Sequence, residues 1–304
     1  NLLIGGALQL LLPDDPDAPA WILTAIVVAQ SAAVCGAVLV FCILMLRAQG
    51  LTLRDAGLRW TSASPLSLLA GIAYDDGLIG SLDDHVDDAM PPEDDGFRSP
   101  HNALITWRHL LQQTSEWQGS LWGKPDSVDH HRQAGPRDED ANRHKGVLRE
   151  LEAPGTRFEY NDVRVNRCAL SLTRLFGRGL NDVLRERIMD PIGASRDWEW
   201  HGYDNAYVRI AGRQVPSVSG GGHWGGGLFI STRDHARVGL LVARGGEWAG
   251  QQIISREYLA EMTRPCAVNH QYGFMWWLNT DRMLFPSIPG NAVLAIGGGQ
   301  HVIW

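Results

Sequence analysis

The stretch Pro154-Gly-Thr-Arg-Phe-Glu-Tyr-Asn-Asp162 holds residue types that could do chemistry at a spacing that would expose one of them. Pro154-Gly155 signals a turn, Phe158 and Tyr160 alternate with Arg157 and Glu159 as in a short extended segment, and Asn161-Asp162 can cap a following helix. The Tyr160 hydroxyl is thereby predicted at a loop-to-helix junction, the edge of an active site; a core tyrosine satisfied beside a turn is the plainer alternative. A second place is glycine-dense Ser217–Gly227, which would let a loop carrying His223 and Trp224 pass close to a ligand or another backbone. Gly220-x-Gly222-x-x-Gly225 matches a dinucleotide fingerprint in spacing only. No hydrophobic strand precedes it, and the next helix opens only after Ser231-Thr-Arg-Asp234, a good capping box. There is no Gly-x-Ser-x-Gly elbow. A Ser-His-Asp triad needs no closeness in sequence and stays open, with His223 as its histidine.

These residues need elements to hold them. Val165, Cys168, Ala169, Leu172, Leu175 and Phe176 recur at helical spacing, so a helix over Val163–Phe176 would support Tyr160 from behind. Ser64-Pro65 is a hydroxyl N-cap followed by proline at the first helical position; the helix runs to about Asp75, with Leu66, Leu69, Ala70 and Ala73 on one side. The carboxylates of Asp75–Asp95 lack the alternation and central glycine of a calcium loop and read as a solvated loop. Gly119–Arg149 reads as a polar surface loop; Asp129-His130-His131 inside it lacks metal-ligand spacing, and no metal or cofactor is expected. Val183–Met189 reads as helix, and Tyr272–Leu278, Ala292–Ile296 and Gln300–Trp304 as strands.

Pro154-Gly-x-x-Phe-x-Tyr-Asn-Asp162 resembles the second motif of the serine hydrolases related to class C β-lactamases and D-alanyl-D-alanine peptidases. Ile105-Thr-Trp-Arg-His-Leu-Leu-Gln-Gln-Thr-Ser115 is similar to that family's Ile-Thr-x-x-x-Leu-Leu-x-His-Thr-Ser segment, with Gln113 in place of the histidine. Asp190-Pro-Ile-Gly-Ala194 and Gly225-Gly-Gly-Leu-Phe-Ile-Ser-Thr-Arg-Asp234 resemble two further blocks, in order, over about Leu66–Trp304. The resemblance implies an α/β (α+β) fold with an antiparallel sheet, packed helices and a helical subdomain between Gly96 and Gly212. It implies hydrolysis of a small amide, ester or peptide-like substrate through an acyl-enzyme. It makes Tyr160 and Asp162 the catalytic candidates and Asn161, His223, Trp224 and Gly297 the substrate-binding ones, Gly297 through a third motif that looks like Ala295-Ile-Gly297. The family's nucleophile is a Ser-x-x-Lys at a helix N-terminus, the three-residue spacing putting both side chains on one face. Aligning Leu66–Gly71 with that helix puts Trp60 at the serine position and Ala63 at the lysine position. Starting from Ser62 or Ser64, weak candidates for the nucleophile, the lysine position holds Pro65 or Ser67. Lys124 and Lys145 are the only lysines, and Leu121 and Asn142 stand three residues before them. Impaired turnover is the expectation. A non-catalytic relative binding a peptide or peptidoglycan-like ligand, tethered to a membrane, is the alternative.

The chain has 304 residues, 44% hydrophobic and 20% charged, which is ordinary for a globular enzyme. A net charge of -7 argues against a nucleic-acid surface, since phosphate binding needs a clustered positive field. Cys35, Cys42, Cys168 and Cys266 form no Cys-x-x-Cys pair and read as packed thiols. Trp21–Leu46 is free of charge and exceeds the roughly 20 residues a membrane helix needs. Asp14, Asp15 and Asp17 precede it and Arg47, Arg54 and Arg59 follow it, a charge order that places the C-terminal part inside. The expected division is a membrane-spanning segment over 1–60 and a hydrolase domain over 61–304, at a bacterial inner membrane. Leu51–Arg59 weakly resembles the start of CPBP-type intramembrane proteases. The chain starts at Asn1 and stops at Trp304 inside an expected strand, so a C-terminally truncated fold is expected, with a join between unrelated segments near residues 60–66 as one account of its organisation.

Overall fold

Helix α1 (Ser64–Asp75) starts where the Ser64-Pro65 pair puts it and ends at the expected residue. Its apolar residues do not make one stripe: Leu66, Leu68, Leu69, Ala70, Ile72 and Ala73 are all exposed by 1% or less, so the helix is buried on all sides rather than on the one expected. The computed structural model describes residues 59–60, 64–133, 142–217, 227–296 and 302–303. The Trp21–Leu46 span, the Gly220–Gly225 spacing, Ser62, His223, Trp224 and Gly297 lie outside the described residues. The described residues all belong to the unit Leu58–Trp304. Among them no helix is long and apolar enough to cross a membrane.

After α1 come α2 (Trp107–Leu111), α3 (Asp162–Phe176), α4 (Leu180–Leu184), α5 (Thr232–Ala243) and α6 (Arg256–Met262). α4 runs into a π-helical turn, Arg185–Met189, so the helix expected over Val183–Met189 is two kinds of helix in series. Ser231 Oγ accepts from Asp234 N at the start of α5, as its capping box requires. α3 is the second buried helix and packs on α1.

The strands are short: β1 (Arg59–Trp60), β2 (Ser120–Leu121), β3 (Lys124–Pro125), β4 (Glu199–His201), β5 (Tyr207–Ile210), β6 (Arg213–Pro216), β7 (Gly227–Phe229), β8 (Glu247–Trp248), β9 (Gln251–Gln252), β10 (Trp277–Leu278), β11 (Val293–Ile296) and β12 (Val302–Ile303). Among the described residues the expected antiparallel sheet is divided into two three-stranded ladders, β1-β7-β4 and β10-β11-β12, with three separate hairpins. Trp60 pairs with Leu228, and Trp277 with Leu294. The strand expected over Tyr272–Leu278 is reduced to Trp277–Leu278. Met275 has φ +58° and Gly273 N donates to Trp276 O at 2.9 Å, which folds the first half into a turn. A Cβ on Gly273 would lie 2.2 Å from Met262 O, so only glycine lets that turn sit against the end of α6.

α1 is fixed from two sides. The Tyr258 hydroxyl on α6 donates to Ser67 O at 2.6 Å, and Trp276 Nε1 donates to Ser67 Oγ at 2.8 Å. A Cβ on Gly71 would meet the Tyr258 ring at 2.7 Å, so glycine sets the approach of the two helices. The acidic stretch Asp75–Asp95 keeps most of its carboxylates exposed, as expected of a solvated loop, with Asp94 the buried exception. Asp75 accepts from Ser255 N at 2.7 Å, Asp76 pairs with Arg187, Asp83 with Arg108 at 2.6 Å and Asp94 with Arg167 at 2.7 Å. Asp76, Asp83 and Asp94 are attachment points for arginines from distant elements. Cys168 and Cys266 are buried free thiols, and burial pushes the Cys168 thiol up to about 12.

Candidate active site

The Tyr160 segment is held along its length by the turn that ends α2. Thr106 Oγ1 accepts from His109 N while His109 Nδ1 accepts from Thr106 N, a reciprocal cap that starts α2. Past its end, Gln113 sits at φ +57°, a cost a non-glycine residue bears only where its surroundings fix it. Its carbonyl accepts from Glu159 N at 3.0 Å, its Oε1 accepts from Asn161 N at 3.0 Å, and its Nε2 donates to Leu110 O at 3.1 Å. Gly155 N donates to Thr114 O at 2.8 Å. Gly155 has φ +89°, and a Cβ there would lie 2.7 Å from His109 Nε2. The extended segment read from sequence is thus bonded to Gln113-Thr114, and Gln113 supplies the bonds at the position where the resembled motif has histidine.

Behind the segment lies a buried ionic network. Arg149 makes a two-pronged pair with Glu116, both contacts at 2.6 Å, and reaches Glu159 at 2.7 Å. Arg164, fully buried on α3, pairs with Glu116 at 2.8 Å and Asp126 at 3.4 Å. Asp126 accepts from Gly119 N at 3.0 Å and contacts His130 Nε2 at 3.0 Å. Asp129 binds Lys145 at 3.1 Å and Arg132 at 3.3 Å, and Arg132 binds Asp162 at 2.7 Å. Burial alone would raise the Glu116 carboxyl, but the Arg149 hydrogen bonds, the Arg164 charge and the Glu152 N–H outweigh it and bring it down to about 2. Glu116 itself has φ +48° and His131 φ +60°, so three left-handed residues surround one segment. The surface loop expected over Gly119–Arg149 therefore needs correction: Asp126, Asp129 and His130 are exposed by 5%, 0% and 4%. Their arginine partners were not legible as partners, although a chain whose positive charge is nearly all arginine has the planar forks that buried carboxylates require.

Each predicted site residue has a definite place. Asn161, fully buried, accepts from Val163 N and Arg164 N as the N-cap of α3 and donates to Asp126 O at 2.8 Å. Both ends of its side-chain amide are thus engaged within the framework. The Asp162 carboxylate, also fully buried, is committed to Arg132. Tyr160, 9% exposed, directly precedes them in sequence and has the Arg132 guanidinium 5.1 Å from its ring centroid. Its ring meets Tyr272 edge-on at 6.3 Å, and Tyr272 packs on Phe158 and Trp277, each at 4.9 Å. The Tyr272 hydroxyl is buried without a hydrogen-bond partner, and burial raises its pKa well above the usual 10, so it remains a phenol.

The nucleophile end offers no such assembly. Ser64 opens α1, and Ser67 is a core residue whose Oγ accepts from Trp276 Nε1 and donates toward Met262 Sδ at 3.5 Å. Trp60 is a strand residue paired with Leu228. Lys145 is bound to Asp129, and Lys124 lies 5.1 Å from the Tyr203 ring centroid. Of the third motif, Ala295 and Ile296 lie in β11, with Ala295 fully buried.

The scaffold has relatives among solved structures. A penicillin-binding protein from Bacillus halodurans matches with a TM-score of 0.52 at 16% identity, over 79% of this chain and 72% of that one. A penicillin-binding protein homolog from Caulobacter crescentus matches with 0.51 at 17%, over 82% and 71%. A D-stereospecific amidohydrolase from Streptomyces sp. matches with 0.50 at 16%, over 78% and 73%. At these identities the likeness shows the fold. No curated protein sequence matches the chain. The Beta-lactamase family model matches residues 64–304, most of the chain, and takes in α1, the Gln113 turn, the Tyr160 segment and β11 together. The chain belongs to the beta-lactamase family of hydrolases.

Proposed function

We propose that the chain recognises a small amide, ester or peptide-like ligand on a β-lactamase-type scaffold, and that acyl transfer through a serine–lysine pair is lost from it. The carrying observation is that neither lysine stands three residues after a serine, and that both are engaged elsewhere, Lys145 by Asp129 and Lys124 over Tyr203. A serine hydroxyl is a poor nucleophile unless an adjacent base takes its proton. The held Tyr160 segment supports retention of ligand recognition, and the likeness of fold to a penicillin-binding protein and a D-stereospecific amidohydrolase supports an amide. His223, Trp224 and Gly297 remain the proposed ligand contacts and Tyr160 and Asp162 the proposed catalytic pair, with Asp162 acting through Arg132. The charge-free run Trp21–Leu46 supports a membrane tether. Full-length protein in the detergent-free soluble fraction would refute the tether.

The test of lost acyl transfer is incubation of the full chain with a fluorescent penicillin, read by intact mass. The expected result is no covalent adduct. A stoichiometric adduct on Ser62 or Ser64 that disappears in Tyr160→Phe would overturn the proposal and assign the proton transfer to tyrosine alone.

A further inference from the structure

A phenol gives up its proton more readily beside a positive charge. Arg132 supplies one. Its guanidinium lies 5.1 Å from the Tyr160 ring centroid, inside cation–π range, and is 17% exposed. We propose that Arg132 is the cationic partner of Tyr160: a positioning residue that holds the phenol at the head of the site and favours its phenolate.

Three observations carry this. Arg132 is fixed at its other edge, with its NH1 group 2.7 Å from Asp162 and 3.3 Å from Asp129, so the plane that meets Tyr160 has little freedom. The residue before it, His131, is held at φ +60° with its N–H donating to Glu159 at 2.6 Å. One arginine therefore ties together the loop at 126–132, the Tyr160 ring and the first residue of α3. Last, the charge on Arg132 is secure: burial opposes it, but the Asp162 and Asp129 carboxylates outweigh burial and raise its pKa further.

Among the described residues, groups that face the pair include Asp162 and Asp129, Lys145 on Asp129, and from β10's approach the Tyr272 phenol. The two carboxylates share the guanidinium and weaken its pull on Tyr160, while Lys145 offsets one of them. The cation is nevertheless the charge in contact with the ring. Contact with an opposite charge moves a titrating group by about 1–3 pH units. Sharing with two carboxylates puts the expected effect at the low end, about one pH unit. The proposal takes Tyr160 as the head of the site and rests on that reading, but its test needs no ligand.

The experiment is a titration of the full chain labelled with 13C at tyrosine Cζ, followed by NMR, with the Tyr160 resonance identified by its loss in Tyr160→Phe. Tyr160 is expected to titrate before Tyr203 and Tyr272. Arg132→Gln is expected to raise its midpoint by about one pH unit, a tenfold change in proton affinity. Arg132→Lys, which keeps the charge but not the planar fork, should return most of that shift. A purely structural role for Arg132 would leave the midpoint unmoved in Gln and Lys variants alike. Should Arg132→Gln not fold, the order of titration in the unaltered chain decides, and Tyr160 titrating together with Tyr203 and Tyr272 overturns the proposal. A failed titration leaves the absence of a penicillin adduct standing, and an adduct leaves the titration standing.

Discussion

Around Tyr160, Glu116, Asp126, Asp129, Glu159 and Asp162 are all buried and each is matched to an arginine or lysine; the first turn of α1 is Ser64-Pro-Leu-Ser67. One region is fixed by many interlocking bonds, and the other, in its described residues Ser64–Ser67, holds no charged side chain. The difference separates two things usually found together in an enzyme, the framework that orients a proton-transfer group and the nucleophile it serves. A buried ion pair is weak evidence of stability in itself, because desolvation offsets its attraction. What the network supplies is position. Glu159, Asn161 and Asp162 all spend their side chains on the framework, and the framework also carries three left-handed residues, Gln113, Glu116 and His131.

The comparison breaks first if the network can lose a member cheaply. Arg164→Ala removes a fully buried guanidinium and leaves Glu116 and Asp126 facing each other with less compensation. The expected loss of unfolding free energy in urea is about 3–5 kcal/mol, the cost of stranding a buried charge. A loss under about 1 kcal/mol would mean that water already reaches the network.

Acid tests the same framework without a mutation. Glu116 has its carboxyl lowered from 4.5 to about 2, so its contribution is fully present above about 4.5 and is lost as pH falls through about 2. Glu116→Gln carries no such proton. Its thermal midpoint should lie below that of the unaltered chain at pH 6, and the gap should narrow progressively between pH 4.5 and 2. A gap that stays constant across that window would remove Glu116 from the groups that set the acid limit.

Helix positions were largely legible in the sequence, because their signals are local. Ser64-Pro65, Asn161-Asp162 and Ser231–Asp234 each start a helix where their capping chemistry puts it. The ionic network was not legible, since its partners lie far apart: Glu116 with Arg164, Asp94 with Arg167 and Asp162 with Arg132 are paired by tertiary structure, and a charged residue alone reads as solvent-facing. The half-strand Tyr272–Met275 failed for a different reason, since the close approach to Met262 O at Gly273 imposes a turn that alternation cannot report.

The smallest effect sharpens the comparison from within the Tyr160 segment itself. Arg157 lies two residues from Glu159 and pairs with Glu152 at 2.8 Å, a contact as short as those of Arg164, but its side chain is 34% exposed and that of Glu152 48%. Water and salt screen such a pair, and two long side chains must be ordered to make it, so pairs of this kind contribute about 0.2–1 kcal/mol. Arg157→Ala should therefore cost no more than about 0.5 kcal/mol in urea unfolding, and that cost should vanish in 1 M salt, where screening acts within about 3 Å. Arg164→Ala should keep most of its effect in the same salt, because the buried pair admits little counterion. If the two variants respond alike to salt, burial does not separate them, and the view of the Tyr160 corner as a framework closed to water fails.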